Sequence, residues 1–299
     1  MDNLLAMSVF IAVAEQGGFS AAARRLNMSP ASVTRAVSQL EERLGARLLV
    51  RSTRAHQLTD AGQRYFTDCQ RILCELEEAE QQASGIHKAP SGMVTLTAPV
   101  MCGRIVVTPI LLNLLDEFPG ISVTTLFVDR IVHLIDEGID IAVRFGEPPN
   151  SSLIATRVGG SRRVLCASSA YLSKFGRPKT PSDLNDHKTI DLITMKHHGQ
   201  WQFQKDGKAF SFRPRSRLQV NSADAAIASA LEGRGIARVA SYMIATPVRL
   251  GHLQLVLEDY EPPSVPLYVI RKELGRPSGR VRLVFDYLVE EMKRVAPRS

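Results

Sequence analysis

Basic side chains are concentrated in one short segment near the N-terminus. Between Ala21 and His56 the only acidic residues are Glu41 and Glu42, so this segment contributes 7 − 2 = +5 to the net charge of +7. The seven cations are Arg24, Arg25, Arg35, Arg43, Arg47, Arg51 and Arg54. Such a cluster is the electrostatic footprint expected of a surface that binds phosphate groups. A solvated charged face is the alternative, and the surrounding elements must decide between the two.

The elements around this cluster have the pattern of a helix-turn-helix. Apolar residues recur at helical spacing from Leu4 to Ala14 and stop at Gly17-Gly18, which predicts a first helix and a sharp exit. A short second helix is expected from Ser20, as its N-cap, to Leu26. Ser29-Pro30 has the form of a cap followed by proline at the first helical position, so a third helix begins there and ends at Gly45.

The third helix has two distinct faces. Its predicted core stripe is Val33, Val37, Leu40 and Leu44. The opposite face carries Ala31, Thr34, Arg35 and Ser38. Because these four residues are small, polar or basic, the helix could approach the floor of the DNA major groove closely. Arg35 would reach either a guanine edge or a phosphate.

The chain after Gly45 predicts a short hairpin with a basic tip, which is the wing of a winged helix-turn-helix. Arg51 and Arg54 would then lie beside the minor groove or the phosphate backbone. The candidate DNA-contacting residues are Ser20, Pro30, Ala31, Thr34, Arg35, Ser38, Arg51 and Arg54.

A fourth helix is predicted to begin at Thr59-Asp60, with a capping hydroxyl and an acid in its first turn. Its apolar residues follow heptad spacing, which suits a helix that pairs with another helix. The candidate dimerisation residues are Tyr65, Cys69, Ile72, Leu76 and Ala79. Packing on their own domain is the alternative. A dimer is favoured because the segment is otherwise rich in Glu and Gln, and it would present two recognition helices to a two-fold symmetric site.

A polar break with Pro and Gly at 86–92 predicts a domain boundary. The domains are therefore expected at 1–59 (winged helix-turn-helix), 60–86 (linker helix) and 92–299. Beyond the break, strands are predicted at 93–98, 121–128, 140–145, 163–168, 190–193, 218–220, 236–239 and 267–270. Helices are predicted at 102–118, 131–137, 223–232 and 281–295. This alternation indicates an α/β fold with parallel strands and helices on both faces.

Two chain crossings, near 159–161 and 262–266, would divide this region into two lobes. Lobe I is expected at 92–160 and 266–299, and lobe II at 161–265. This is the wiring of a periplasmic-binding-protein-like fold, whose hinged lobes suit closure on a ligand. Since open sheets bind ligands at the carboxyl ends of parallel strands, the candidate ligand-binding residues are Thr97, Pro99, Val100, Met101, Arg144, Phe145, Asn221, Ser222 and Arg238.

The chemistry of these residues favours a small carboxylate or other anion as the ligand. Free amides at the start of the helix after Ala98 would attract an anion, and Arg144 or Arg238 could pair with it. Either arginine could instead make a structural ion pair.

The run AARRLNMSPASVTRAVSQLEERLGARLLVRSTRAHQLTDAG, from Ala22 to Gly62, resembles the winged helix-turn-helix of LysR-type transcriptional regulators. The segments 140–178 and NSADAAIASALEGRGIARV, at 221–239, are similar to the effector domain of that family. The resemblance implies a ligand-responsive transcription factor, a homodimer or homotetramer that contacts DNA near the start of the recognition helix. Effector-driven lobe closure would alter DNA bending or contact with RNA polymerase. Many members carry a Gln near that helix start, where this chain has Ser29 to Ser32, so no contact made by that Gln can be transferred.

Two other function classes were weighed against this interpretation. A metabolic α/β enzyme would need a catalytic motif, and Gly233-Arg234-Gly235 follows a helix rather than a strand, so a helix C-cap explains it better than a dinucleotide site. An architectural DNA-binding protein would leave the two-lobed domain without a role. Trp201, Phe203, Phe210 and Phe212 alternate around Gly207, which predicts a hairpin rather than a base-stacking platform.

The composition is that of an ordinary globular protein, with 299 residues of which 44% are hydrophobic and 22% charged. The four cysteines form no CxxC pair, and His197-His198 has no acidic neighbour at ligand spacing, so neither a disulfide framework, a metal site nor a cofactor is expected. The apolar stretch 7–14 is too short to cross a bilayer and lacks a basic flank. A cytoplasmic protein without membrane contact is expected.

Overall fold

The computed structural model describes residues 2–51, 56–84, 89–148, 153–193, 199–273 and 278–295. The chain divides into two compact units, Met1–Met93 and Val94–Ser299. The domain boundary expected at 86–92 lies partly outside the described residues.

Within its described residues, the N-terminal unit contains four helices and a two-stranded hairpin. Its elements are α1 (Asn3–Gln16), α2 (Phe19–Arg25), α3 (Pro30–Leu44), β1 (Leu49–Arg51), β2 (His56–Leu58) and α4 (Asp60–Ser84). The core of this unit is built from the apolar faces of α1 and α3, with Phe10, Val37 and Leu40 among its buried side chains. Leu44, the fourth member of the predicted core stripe, is instead 40% exposed.

Two of the three predicted helix caps are confirmed. Ser29 Oγ accepts a hydrogen bond from Ser32 N at 3.1 Å, and Thr59 Oγ1 accepts one from Gly62 N at 2.9 Å. The prediction that Ser20 caps the second helix is wrong, because α2 begins at Phe19 after Gly18 and has no side-chain cap. Gly18 takes the N-cap position, so Ser20 lies within the helix.

The hairpin is fastened to the recognition helix by one carboxylate. Glu41 Oε1 accepts hydrogen bonds from Leu48 N at 2.7 Å and Leu49 N at 3.1 Å. Strands β1 and β2 pair antiparallel, with Leu49 opposite Leu58, as expected for a wing. The predicted basic tip lies at 52–55, outside the described residues.

The C-terminal unit contains twelve strands and six α-helices among the described residues. In lobe I these are β3 (Gly92–Ala98), α5 (Val100–Cys102), α6 (Thr108–Glu117), β4 (Ile121–Phe127), β5 (Ile141–Phe145) and β6 (Leu153–Ser161), followed at the end of the chain by β14 (Val265–Lys272) and α10 (Gly279–Val295). A π-helical turn, Gly103–Val107, joins α5 to α6. In lobe II they are β7 (Arg163–Ser168), α7 (Ser169–Phe175), β8 (Thr189–Leu192), β9 (Trp201–Lys205), β10 (Lys208–Phe212), β11 (Leu218–Val220), α8 (Ala223–Leu231), β12 (Ile236–Ala240), α9 (Ala245–Arg249) and β13 (Leu253–Val256).

Each lobe is built on a five-stranded sheet, and both sheets are mixed rather than parallel. The strand orders are β4-β3-β5-β14-β6 in lobe I and β11-β8-β12-β7-β13 in lobe II. Strand β14 runs antiparallel to both β5 and β6, and β7 runs antiparallel to both β12 and β13. The expectation of a parallel sheet is therefore corrected. The chain crosses between the lobes after β6 and again after β13. Strand β13, which leads out of lobe II, runs antiparallel to β7, which enters it. Strand β14, which returns to lobe I, runs antiparallel to β6, which leaves it.

The predicted helix at 131–137 is also wrong. This segment forms hydrogen-bonded turns, with Ile131 and Ile135 largely exposed. Arg130 holds the turn closed through two hydrogen bonds to the Glu137 carboxylate, of 2.9 and 2.5 Å. Those bonds hold the pKa of Glu137 at about 2. Apolar spacing alone could not reveal this local ion pair.

Two smaller predictions are confirmed. Strands β9 and β10 form the expected hairpin, in which Phe203 lies opposite Phe210. Gly233 has a positive φ of 69° directly after α8, and Arg234 N donates to Ser229 O at 3.0 Å, as expected for a helix C-cap.

Among the described residues, no single helix has both the length and the apolar character needed to cross a membrane. Helices α1 and α2 meet both criteria only as a pair, and the angle between the two helices is 118°. Phe10 and Val13 of α1 are buried in the core of the N-terminal unit, which accounts for their apolar character.

The junction between the wing and α4 depends on one glycine. A Cβ at Gly62 would overlap the carbonyl oxygen and carbon of Leu48, which are backbone atoms and cannot rotate away. We expect Gly62→Ala to lower the free energy of unfolding of the N-terminal unit by about 2 kcal/mol, because overpacking outweighs the gain in helix propensity. Chemical denaturation followed by circular dichroism measures this. The matched control is Gln63→Ala at the exposed neighbouring position, and equal stability of the two variants would contradict the prediction.

Candidate DNA-binding and ligand-binding sites

The recognition face of α3 is open to solvent in the N-terminal unit. Pro30, Ala31, Thr34 and Arg35 are exposed, and Ser38 is half-buried. Thr34 Oγ1 donates to Pro30 O at 2.9 Å, which fixes its hydroxyl against the helix. Arg35 makes no ion pair within the part of the chain that the structure describes. Its guanidinium is therefore available for a phosphate or a base.

The remaining predicted DNA contacts are only partly located. Ser20 is exposed on α2. The backbone of Arg51 lies in β1, opposite His56, but the structure does not describe its side chain. Arg54 lies outside the described residues. The contacts of these residues with DNA stay predictions.

The first half of the predicted dimerisation seam belongs to the N-terminal core instead. Cys69 is 0% exposed there, and the ring of Tyr65 lies 5.7 Å from that of Phe10. The assignment of Cys69 to a dimer seam is therefore corrected, because α1 already covers it, and Tyr65 packs on the same core. Ile72 and Leu76, further along α4, are half-buried and lie outside that core. The side chain of Ala79 is not described.

In lobe I, a buried threonine positions the first candidate arginine. Arg144 donates to Thr97 Oγ1 at 2.8 Å, and Thr97 Oγ1 donates to the Leu126 carbonyl at 2.7 Å. Thr97 is 0% exposed, so its predicted contact with a ligand is corrected: its hydroxyl is fully engaged and can only position Arg144. Burial lowers the pKa of the Arg144 guanidinium from its usual value. The guanidinium makes no ion pair with a described residue.

Among the described residues, the contacts between the two lobes include three that involve α5, the π-helical turn after it and β5. Met101, from the start of α5, is 4% exposed and packs in the apolar core of lobe II. Phe145 stacks on Tyr242 with ring centroids 5.6 Å apart. Arg104 pairs with Asp224 at the start of α8, at 2.7 Å. The prediction of Met101 as a ligand contact is corrected, because lobe II already encloses its side chain.

Lobe II contributes two further half-buried arginines on neighbouring strands. Arg238 on β12 donates to Gln202 O at 3.2 Å, while its Nε is buried without a hydrogen-bond partner. Burial, together with the nearby charge of Arg163 on β7, lowers the pKa of Arg238 to about 10. Burial also lowers the pKa of Arg163. Asp191 lies close enough to offset part of this repulsion, although its carboxylate accepts a hydrogen bond from Trp201 Nε1 at 3.0 Å.

The same region contains a buried phenol that links the two lobes. The Tyr242 hydroxyl is buried without a hydrogen-bond partner. Burial raises the pKa of Tyr242 most, Cys102 and Asp129 raise it further, and Arg163 lowers it. Asp129 and Cys102 also act on Arg144. Tyr242 therefore lies near Arg163 of lobe II and near Asp129 and Cys102, which are also neighbours of Arg144 in lobe I.

The expected free amides at the start of α5 are not all free. Val100 N donates to Asp129 Oδ1 at 3.1 Å, so a carboxylate of the protein already occupies that position. Pro99 is half-buried and Val100 is exposed. Ser222 Oγ caps α8 by accepting a hydrogen bond from Ala225 N at 3.4 Å, while Asn221 is exposed. The prediction of an anionic ligand therefore depends on the arginines rather than on helix amides.

Sequence reasoning missed Arg163, Tyr242 and Asp129. Arg163 directly follows the crossing at 159–161, and strand alternation places it on the same face as Leu165, so its position could have been found. Tyr242 comes after the end of β12, and only the tertiary structure shows that its ring stacks across the lobes. Asp129 follows β4 at the carboxyl end of that strand, which is where the general rule for ligand sites would have pointed.

The described residues hold no group of three His, Cys, Asp or Glu side chains that could bind a metal ion. Cys69, Cys102 and Cys166 are free and buried. Burial raises the pKa of Cys102 and of Cys166 to about 12, so their thiols stay protonated at neutral pH. His197-His198 lies outside the described residues.

A helix-turn-helix with an exposed polar face, followed by a two-lobed α/β unit, defines a DNA-binding regulator with a ligand-binding domain. The family model described as "Bacterial regulatory helix-turn-helix protein, lysR family" matches residues 4–63, and that described as "LysR substrate binding domain" matches residues 87–293. The chain belongs to the LysR family of bacterial transcriptional regulators. This family consists of regulators rather than enzymes, which excludes the enzyme interpretation.

Relatives match along almost the whole chain. The HTH-type transcriptional activator AaeR of Escherichia coli (strain K12) is 31% identical over 97% of this chain and 95% of its own length. An HTH-type transcriptional repressor of Pseudomonas aeruginosa (strain UCBPP-PA14) is 32% identical over 97% of this chain and 92% of its own. The structure of CrgA, a LysR-type transcriptional regulator from Neisseria meningitidis, is similar with a TM-score of 0.63 at 28% identity, over 98% of this chain and 99% of that one.

The Tyr242 hydroxyl, which has no hydrogen-bond partner, allows the contact between the lobes to be tested. We expect Tyr242→Phe to keep the ring stack on Phe145 and to leave the free energy of unfolding unchanged or higher by up to about 1 kcal/mol, because a buried hydroxyl without a partner is removed. Tyr242→Ala should lose about 2 kcal/mol, because the ring is removed as well. Denaturant unfolding of the full chain measures both. A loss in Tyr242→Phe as large as that in Tyr242→Ala would contradict this interpretation.

Proposed function

We propose that this LysR-type regulator binds a small anion between the two lobes of its C-terminal unit and thereby changes how a dimer holds its DNA site. The observation that carries the proposal is the set of half-buried arginines Arg144, Arg163 and Arg238, none of which forms an ion pair with a described residue. Burying a charge without a partner is costly, so an anion that enters this region stabilises it.

The charge balance of the cleft supports an anionic effector. Asp129, Glu137 and Asp191 are the carboxylates that act on Arg144 and Arg238. Each already accepts a hydrogen bond, from Val100 N, Arg130 and Trp201 Nε1 respectively. None of them forms an ion pair with these arginines at 4.0 Å or less among the described residues. A carboxylate ligand could accept hydrogen bonds from the unused N–H groups of the guanidinium groups and from the Tyr242 hydroxyl.

The N-terminal unit would recognise DNA through α3. Its exposed face of small and basic residues suits the major groove, and the wing residues Arg51 and Arg54 would add contacts with the backbone or minor groove. The second half of α4, from Ile72 onward and including Leu76 and Ala79, is the segment we propose for dimerisation. Two such units would match a two-fold symmetric site, in a homodimer or a homotetramer.

Coupling between the sites follows from the contacts that join the lobes. An anion that draws Arg144 and Arg163 together favours a closed arrangement, and closure would alter the spacing of DNA-binding pairs, and so DNA bending or contact with RNA polymerase. Such a protein acts in the cytoplasm, on chromosomal DNA. If saturation with an effector left footprint, bend angle and transcription all unchanged, this coupling would be refuted.

The anionic effector is tested with a panel of small carboxylates, each paired with its uncharged amide. We expect at least one carboxylate, and not its amide, to raise the unfolding temperature of the full chain, because ligands that bind only the folded state stabilise it. Arg144→Gln should weaken its affinity by about tenfold or more, in line with a lost charged hydrogen bond. The control Arg249→Gln changes an exposed arginine and should keep the affinity. Equal stabilisation by amides, or an unaffected Arg144→Gln, counts against an anionic effector.

The DNA-binding face is tested by selecting genomic fragments with the purified protein and measuring affinity across a salt series. We expect a shared two-fold symmetric site that binds much more tightly than random DNA. Arg35→Ala should weaken specific binding by about 1 to 3 kcal/mol if the side chain reads a base. The control Arg64→Ala removes the same charge from an exposed position on α4. Equal losses on specific and random DNA would make Arg35 a phosphate contact, and uniform binding to all DNA would favour an architectural protein.

A further inference from the structure

Lobe II has a second concave basic region, whose lining residues are not among those of the candidate effector cleft. A depression of about 260 Å³ is lined by Lys188, Thr189, Ile190, Arg217, Leu218 and Arg234, which we call the distal basic pocket. Its residues lie at the starting ends of the parallel strands β8, β11 and β12. The cleft arginine Arg238 lies in the middle of β12, and Tyr242 follows the other end of that strand. The distal basic pocket therefore shares no lining residue with the cleft.

The backbone frame of this pocket is tightly fixed. Ile236 N donates to Lys188 O at 2.8 Å, and the hydroxyl groups of Thr189 and Ser216 share a hydrogen bond of 2.8 Å. A Cβ at Gly235 would lie only 2.5 Å from Lys188 O, so this glycine allows the turn to approach the start of β8. The turn that carries Arg234 is thus held against the strand that carries Lys188.

Three cations converge on the pocket from three separate segments. Lys188, Arg217 and Arg234 are all exposed, and none of them forms an ion pair within the described residues. Asp186 and Glu232 are the acidic residues near them in sequence, and neither pairs with them at 4.0 Å or less in that part of the chain. The Lys188 ammonium lies 5.3 Å from the centre of the Phe175 ring, and Lys174 lies 5.4 Å from the same ring. Lys188 thus lies over an aromatic ring, whereas Arg217 and Arg234 have neither an ion pair nor an aromatic partner within the described residues.

We propose that the distal basic pocket binds a phosphoryl group. A dianion with several oxygens can satisfy cations that approach from three directions, whereas a single carboxylate saturates one guanidinium fork. The depression of about 260 Å³ has room for a phosphoryl group. The group belongs either to a free phosphate compound or to the backbone of DNA, and both sources offer the same chemistry. This proposal does not depend on an effector in the cleft.

The test uses inorganic pyrophosphate as the probe and isothermal titration calorimetry of the full chain at low salt, without divalent cations. We expect saturable binding that Arg217→Gln combined with Arg234→Gln weakens tenfold or more. The matched control is Arg157→Gln combined with Arg249→Gln, which removes the same charge from exposed positions outside the pocket and should change the affinity less than twofold. Thermal unfolding of both double variants within about 2 °C of the wild type shows that they are folded.

Binding to a DNA duplex of arbitrary sequence across a salt series separates the two sources. A fall in the salt slope by about two counterions in the pocket variant, and not in the control, identifies DNA phosphates as the ligand. An unchanged slope together with weakened pyrophosphate binding identifies a free phosphate compound. The proposal is overturned if the wild type does not bind pyrophosphate saturably, if the pocket variant binds as well as the wild type, or if both double variants lose affinity equally.

Discussion

The organisation of the C-terminal unit depends on supporting buried positive charge where two sheets meet. Thr97 stands at the centre of this support in lobe I, because its hydroxyl donates to Leu126 O and accepts from Arg144. The second sheet provides no such relay, and the Nε of Arg238 stays without a partner. A buried polar group that lacks a partner costs free energy, and such sites persist in proteins where function requires them. The ring stack of Phe145 on Tyr242 and the insertion of Met101 hold the lobes together around this costly arrangement.

The N-terminal unit has a different requirement. It must hold α3 in place while leaving the outer face of that helix exposed to solvent. Glu41 does this from the inner side of α3, by accepting the amides of Leu48 and Leu49. Gly62 permits α4 to start directly against Leu48. Neither contact uses the outer face of α3, where Pro30, Ala31, Thr34 and Arg35 stay exposed.

Most elements could be predicted from the sequence, because their signals are local. The Ser29-Pro30 start of α3, the Gly45 stop and the alternation in β9 and β10 each depend on a few neighbouring residues. The failures come from contacts that apolar spacing does not reveal. The segment 131–137 has helical apolar spacing, but it forms turns that the Arg130–Glu137 pair closes. Cys69 has heptad spacing, but the core that covers it comes from α1. The candidate site was found in part: Arg144 and Arg238 lie near strand ends, whereas Tyr242 is recognisable only once both lobes are in place.

Met101 determines how the enthalpy of the contact between the lobes depends on temperature. Its side chain comes from lobe I and is enclosed by the core of lobe II. Any separation of the lobes that withdraws it exposes apolar surface to water, and such exposure raises the heat capacity. The enthalpy of lobe opening therefore increases with temperature. Closing the lobes lowers the heat capacity by the same amount. A ligand that holds the lobes closed therefore has a binding enthalpy that becomes more favourable on warming, while its affinity changes much less.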